Sequence, residues 1–242
     1  MADPEQADLR NRLLRALAPE DFAALQPVLR PEVLTLKQVL ISANTVIETI
    51  YFVEAGIVSV TSDAPSGRVE IGLLGREAMV GGAPILLDDD RSPHTHFVQM
   101  AGQVLSISAR TLREMTEVRP ALRRILCRYV QAQHIQTAQT AYANAKGSTT
   151  VRLARWLLMC QDRSDDDEIT VTQEFMALML GIERPGVTIA MQVLQKAGLV
   201  VGRRGRVQII DRDGLLDLAG DTYGLPEIEY ARLIEGNTDP EV

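Results

Sequence analysis

The feature that most constrains the fold is a long helical pattern between Pro120 and Gly147. Proline favours the first turn of a helix and glycine its end, and a helix of about 26 residues is roughly 40 Å long. One small domain cannot cover that length, so the pattern predicts a connector between two folded parts. Its apolar residues recur every three or four positions and are Leu122, Ile125, Tyr129, Ala132, Ile135, Ala138, Tyr142 and Ala145.

Two interpretations of this helix are open. It could pack along its own N-terminal domain, or its apolar stripe could pair with a second copy of itself. We favour pairing, because the small residues Ala138, Ala141 and Ala145 permit two helices to approach closely. The predicted homodimer interface consists of Leu122, Ile125, Tyr129, Ala132, Ile135, Ala138 and Tyr142.

The chain before the long helix has a different period. After a helical segment over residues 8–29, short β-type runs alternate with turn formers, such as residues 54–56, from residue 33 to about residue 111. Strands at this spacing are typical of an antiparallel barrel or sandwich. No helices of 10–15 residues alternate with them, which argues against a parallel sheet. The predicted fold class is α+β, with an antiparallel β domain before the helix.

Composition excludes several classes of protein. The net charge of −7 argues against a general polyanion binder, although local charge decides DNA recognition. No apolar run reaches 18 residues and the N-terminus has no apolar secretory segment, so we expect no membrane partner. Cys127 and Cys160 form no metal-binding pair. We therefore expect a cytoplasmic protein without a metal site.

The most informative segment covers residues 171–198. Thr172 is a good N-cap, Gly181 can end one helix, and Pro185 suits the first turn of the next. The second helix has a buried stripe formed by Val187, Ala190, Met191, Leu194 and Ala197, with Arg184, Thr188, Gln192 and Gln195 opposite. Two short helices joined by a glycine turn, with hydrogen-bond donors on the free face, match a helix-turn-helix that reads double-stranded DNA.

A basic hairpin follows this helix pair. Residues 198–210 are interpreted as two strands around an arginine-rich turn, which would lie beside DNA phosphates. An ordinary helical hairpin would look similar alone, but here the basic turn follows at winged-helix spacing. The predicted DNA-contacting residues are Thr172, Arg184, Gly186, Thr188, Ile189, Gln192, Arg203, Arg204 and Arg206.

Together these segments resemble the Crp/Fnr family of bacterial transcription regulators over roughly residues 20–212. The landmarks, in order, are residues 51–60, residues 75–84, Arg91-Ser92 and residues 172–199. The resemblance implies three parts. They are a cyclic-nucleotide-binding-like sensor domain with N-terminal helices and a jelly-roll-like antiparallel β-roll (residues 1–118), a dimerisation helix (119–147), and a winged helix-turn-helix with a C-terminal tail (148–242). It also implies a non-enzymatic homodimer on a pseudo-palindromic operator, with RNA polymerase as a further partner.

In cyclic-nucleotide-binding members, a glycine-glutamate pair at a short helix and a downstream Arg-Ser hold the phosphate and ribose. The resemblance places candidate ligand contacts at Gly75, Gly81, Gly82, Arg91 and Ser92. Because Gly82 stands where the glutamate is expected, we do not expect cyclic AMP, and an unknown ligand or none remains.

No certain cofactor is predicted for the roll. Two cysteines are too few for the iron–sulfur cluster of the family's oxygen-sensing branch. His94 and His96 alternate on one strand face. We interpret them as surface or hydrogen-bonded residues rather than as haem ligands.

The second helix departs from the family pattern. Arg184 matches the family's arginine that donates to guanine, but Pro185 replaces a frequent glutamate and Ile189 replaces a second arginine. We expect Thr188 and Gln192 to take over part of the base recognition. The rival hypothesis is a signalling or partner-binding protein that uses the same roll without reading DNA. No nucleophile elbow, phosphate loop or metal-spaced set supports an enzyme.

Overall fold

A six-stranded antiparallel sheet forms the N-terminal part of the molecule in the computed structural model, which describes residues 4–65, 67–165 and 167–236. We call this sheet, together with helices α1–α4, the roll. Its elements in chain order are α1 (Arg12–Arg15), α2 (Pro19–Leu25), β1 (Arg30–Leu34), β2 (Val39–Ile41), β3 (Thr49–Ala64), β4 (Gly67–Leu74), β5 (Met79–Val80), α3 (Gly82–Leu86), β6 (Thr95–Ser108) and α4 (Ala109–Val118).

Strand β3 lies at the centre of the roll and pairs with β4, β5 and β6. The turn predicted at residues 54–56 is wrong, because β3 continues through this segment with shifts of register against β6. The close approach requires Gly102 of β6, since a Cβ there would overlap the backbone of Ala55. A bulge keeps both strands paired while it bends them, and two predicted strands are therefore one.

The long helix α5 (Pro120–Lys146) has proline in its first turn and Gly147 as its C-cap, as the sequence predicts. The predicted interface stripe, however, does not keep to one face. From Leu122 to Tyr142 its six steps average about 3.3 residues, short of the 3.6 residues of a helical turn, so the stripe winds around the helix.

The first half of the stripe faces the chain's own core rather than a partner. Leu122, Tyr129 and Ala132 are buried against the roll, and Ile125 is partly buried there. For these four residues the assignment to a dimer interface needs correction. The second half turns outward, with Ile135 partly buried and with Ala138 and Tyr142 exposed.

The residues after α5 form what we call the C-terminal block (residues 149–236). Among the described residues, no single helix is long and apolar enough to cross a membrane. The elements of the block are α6 (Thr149–Arg163), β7 (Glu168–Thr170), α7 (Gln173–Leu180), α8 (Arg184–Lys196), β8 (Val200–Arg203), β9 (Arg206–Ile209), α9 (Arg212–Ala219) and α10 (Leu225–Tyr230).

Helices α7 and α8 form the predicted helix-turn-helix. The Thr172 hydroxyl caps α7 by accepting a hydrogen bond from the Phe175 amide, 3.2 Å away. Gly181 ends α7 with φ of +61°, a left-handed conformation that suits glycine. The two helix axes make an angle of 108°, within the range of about 90–120° typical of this motif. Strands β8 and β9 follow as a hairpin, which is the predicted wing.

The end of the described chain joins both parts of the molecule. Helix α9 contributes Leu215 to the core of the C-terminal block, whereas Tyr230 and Ile234 belong to the core of the roll. The Tyr230 hydroxyl donates a hydrogen bond to the Glu77 carbonyl over 2.9 Å. This tail therefore crosses from one core to the other. Residues 237–242 of the predicted tail lie outside the described residues.

Candidate nucleic-acid interface and roll cavity

Helix α8 is divided into a buried face and a free face. Val187, Ala190, Met191 and Leu194 are buried, as the sequence predicts for these four positions, whereas Ala197 at the C-cap is exposed. The remaining surface is open to solvent, and its exposed residues are Arg184, Pro185, Ile189, Gln192, Val193, Gln195 and Lys196. A helix held by one face and exposed on the other can enter a major groove.

Two predicted base contacts differ in how free their side chains are. Gln192 is exposed. The Thr188 hydroxyl instead lies 2.9 Å from Oε1 of Gln173 and 3.1 Å from the carbonyl oxygen of Arg184, and it donates to these acceptors. Thr188 thus ties α8 to α7, and its proton is already engaged. Gly186 is partly buried beside Ile182.

The wing presents arginines of two kinds. Arg206 donates to Oε1 of Glu168 over 2.8 Å, which offsets its charge. Arg203 and Arg204 are exposed and have no ion pair among the described residues. The unpaired positive charge of the wing therefore lies at its tip. Arg184 on α8 is a further exposed positive charge.

A cavity of about 470 Å³ lies between the roll and α5. Of the predicted ligand contacts, Gly81, Arg91 and Ser92 line it, and Gln133, Gln136 and Thr137 of α5 form its opposite wall. Its volume lies within the range of about 300–1,000 Å³ that ligand pockets span. A ligand in this cavity would touch the sensor roll and the long helix at once.

Two predicted ligand glycines have other surroundings. A Cβ at Gly82 would overlap the side chain of Met79, so a glutamate there would require the core to shift. A Cβ at Gly75 would overlap the side chain of Arg163 on α6. Gly75 therefore serves the contact between the roll and the C-terminal block, which corrects its assignment to the ligand site.

His94 and His96 both line the cavity. His96 is only 7% exposed, so it is not a surface residue, and burial lowers its pKa to about 4 by disfavouring the charged imidazolium. The Nδ1 atoms of both rings have no hydrogen-bond partner in the described part of the chain. Within the same residues, no group of three or more His, Cys, Asp or Glu side chains could hold a metal ion.

A buried carboxylate, which the sequence analysis missed, lies between the roll and α6. Glu70 of β4 is 8% exposed and accepts hydrogen bonds from Trp156 Nε1 at 2.9 Å and Ser59 Oγ at 2.7 Å. Burial raises its pKa to about 7, because the charged carboxylate loses its hydration. An acidic residue between apolar Val69 and Ile71 was the available signal. Its partner is 86 residues away and could not be found locally.

Family models match both parts of the chain. Residues 31–118 match the cyclic nucleotide-binding domain, and residues 151–218 match the Crp-like helix-turn-helix domain. Together these segments cover more than half of the 242 residues. No curated protein matches the sequence.

Solved structures share the fold. A Crp-family regulator from Thermus thermophilus is 21% identical with a TM-score of 0.65, covering 78% of this chain and 97% of its own. FixK2 from Bradyrhizobium japonicum is 14% identical with a TM-score of 0.69, and the match covers 80% of this chain and 98% of FixK2. A Crp/Fnr-family regulator from Eubacterium rectale is 17% identical with a TM-score of 0.68, and the match covers 86% of this chain and 97% of that regulator.

We predict that the docked arrangement of roll and C-terminal block loses stability as pH rises. The folded pKa of Glu70, about 7, lies above its ordinary value of 4.5. Its stabilising contribution is therefore complete below about pH 4.5 and falls by about 2–3 kcal/mol between pH 5 and 8. Urea unfolding followed by Trp156 fluorescence measures this, since Trp156 is the chain's one tryptophan.

The Glu70→Gln variant should lack this component of the pH dependence, because glutamine does not titrate. Glu117→Gln, which changes an exposed acid on α4, is the matched control and should follow the wild type. Parallel pH profiles for the wild type and Glu70→Gln would contradict the prediction.

Proposed function

The chain belongs to the Crp/Fnr family and is a DNA-binding transcription regulator, and we propose that it acts as a symmetric dimer on a pseudo-palindromic operator. The observation that carries the proposal is that α8 has a solvent-exposed face opposite its buried stripe. Two such helices related by a two-fold axis would enter successive major grooves, about 34–36 Å apart.

We divide the chain into three segments and assign a role to each. Residues 1–118 form the sensor part, residues 119–147 the dimerisation helix, and residues 148–242 the DNA-binding part with its tail. As a regulator of transcription, the protein would act in the cytoplasm and contact RNA polymerase. The family acts by binding, and no catalytic role is assigned to any residue.

The DNA contacts divide by chemistry. Arg184 would donate to the O6 and N7 atoms of a guanine, and Gln192 would reach a neighbouring base edge. Thr172, at the N-terminus of α7, and the wing residues Arg203 and Arg204 would contact phosphates. Arg206 would contribute less, because Glu168 already pairs with it. Thr188 and Gly186 would chiefly position the helix.

The dimer would form along the second half of α5. Ala138, Ala141 and Ala145 are exposed and small, and Tyr142 and Ile135 flank them. These residues lie on one side of the helix, away from the buried side that begins at Leu122. Two helices could approach closely along this surface.

A small ligand in the roll cavity would regulate the dimer. Because α5 supplies one wall of the cavity, a ligand could favour one arrangement of the two long helices and so the spacing of the two α8 helices. The ligand would differ from cyclic AMP, because glycine at position 82 supplies no carboxylate to bind the ribose.

Selection from a random DNA duplex pool, at a stated salt concentration, tests DNA reading. We expect a two-fold-symmetric motif with guanine in each half-site. Arg184→Ala should bind it more weakly by about 1–3 kcal/mol per half-site and lose the guanine preference. Arg204→Ala, the matched control, should weaken binding to all sequences alike and reduce the salt slope by about 1 per half-site. If the wild type enriched no motif, a partner-binding role without DNA would be favoured instead.

Sedimentation equilibrium tests the dimer surface. Ala138→Arg should raise the dimer dissociation constant at least about tenfold, since it would bury a guanidinium without a partner. Ala121→Arg introduces the same charge at an exposed position outside the proposed surface and should leave the dimer unchanged. A dimer equally stable in both variants would refute the assignment of this surface.

A further inference from the structure

Helix α8 carries an apolar ridge on the face that meets DNA. Pro185, Ile189 and Val193 recur at intervals of four residues and so form a row along one side of the helix. Ile189 is 62% exposed and Val193 is 48% exposed. Single exposed apolar residues are common on protein surfaces, but this row lies beside Arg184 and Gln192, two exposed side chains that can contact bases.

The protein's own packing does not explain this ridge. Val187, Ala190, Met191 and Leu194 on the opposite side of α8 supply its contact with the core of the C-terminal block. Ile189 belongs to neither buried core of the described molecule. The side chain therefore contributes little to folding where it stands.

The major groove offers one apolar group to such a side chain, the C5-methyl of thymine. We propose that Ile189 determines operator specificity by packing against a thymine methyl in each half-site, beside the guanine that Arg184 contacts. Cytosine at the same position lacks the methyl group. It presents an amino group instead, and isoleucine cannot accept a hydrogen bond from it. This inference rests on the proposed function and names the base chemistry that α8 selects.

The shape of isoleucine suits this task. As a β-branched residue in a helix, it has one strongly preferred χ1 rotamer, so its methyl groups keep a fixed position relative to α8. Pro185 and Val193, one turn before and after it, extend the apolar surface and exclude water from the contact. Little side-chain entropy is then lost on binding.

The test uses deoxyuridine, which pairs as thymine does but lacks the C5-methyl. Each half-site thymine of the selected operator is replaced in turn, and binding is measured by fluorescence anisotropy. At one position the replacement should weaken binding by the wild type about fourfold in one half-site, and about fifteenfold in both, the worth of one buried methyl each.

Ile189→Ala should bind the thymine and uracil operators equally at that position. Ile189→Val, which keeps the branch at Cβ, should retain part of the discrimination. Val118→Ala, which shortens an exposed apolar residue on α4 far along the chain from α8, should discriminate as the wild type does.

Three results would overturn the inference while leaving DNA binding intact. They are a half-site motif without thymine, a wild type indifferent to uracil at every thymine, and discrimination that persists in Ile189→Ala. A wild type that selects no motif would instead contradict the proposed function and the inference with it.

Discussion

The buried ion pair between Glu77 and Arg163 joins the two parts of the molecule. Their closest atoms are 2.7 Å apart, and the side chains are 12% and 6% exposed. Burying two charges is costly unless their remaining hydrogen bonds are made. Here Arg163 also donates to the Met159 carbonyl over 2.9 Å, and Gly75 leaves room for its alkyl chain. Loss of either side chain would leave the other charge largely buried without its ion-pair partner.

This contact holds one side of the C-terminal block against the roll. With α6 held against the roll by Arg163 and by the bond from Trp156 to Glu70, α8 points its free face to solvent. Gln136 of α5 lines the cavity and also donates a hydrogen bond to the Leu73 carbonyl of β4 over 2.9 Å. A ligand that moved α5 would therefore also disturb the strand that leads to Gly75. Ligand binding at the cavity and DNA binding at α8 would therefore be coupled through the contacts that join α5, the roll and the C-terminal block.

Local patterns in the sequence predict much of this architecture. Pro120, Gly147 and Gly181 mark helix ends through backbone preferences that need no distant partner, and the buried stripe of α8 follows from its period. The side of α5 that faces the roll could not be predicted, because Leu122 and Tyr142 look alike as apolar residues although the helical twist separates them. The roles of Gly75 and Glu70 depend on α6, which lies far along the chain, so the local sequence could not identify the partner of either residue.

A double-mutant cycle on Glu77 and Arg163 tests most directly whether the roll and the C-terminal block form one unit. The free energy of unfolding is measured for the wild type, Glu77→Gln, Arg163→Met and the double variant. The account predicts a coupling energy of about 1–3 kcal/mol, because the second substitution relieves the unpaired charge left by the first. Substitutions whose effects add to within about 0.5 kcal/mol would contradict it and would mean that the two parts are not docked through this pair in solution.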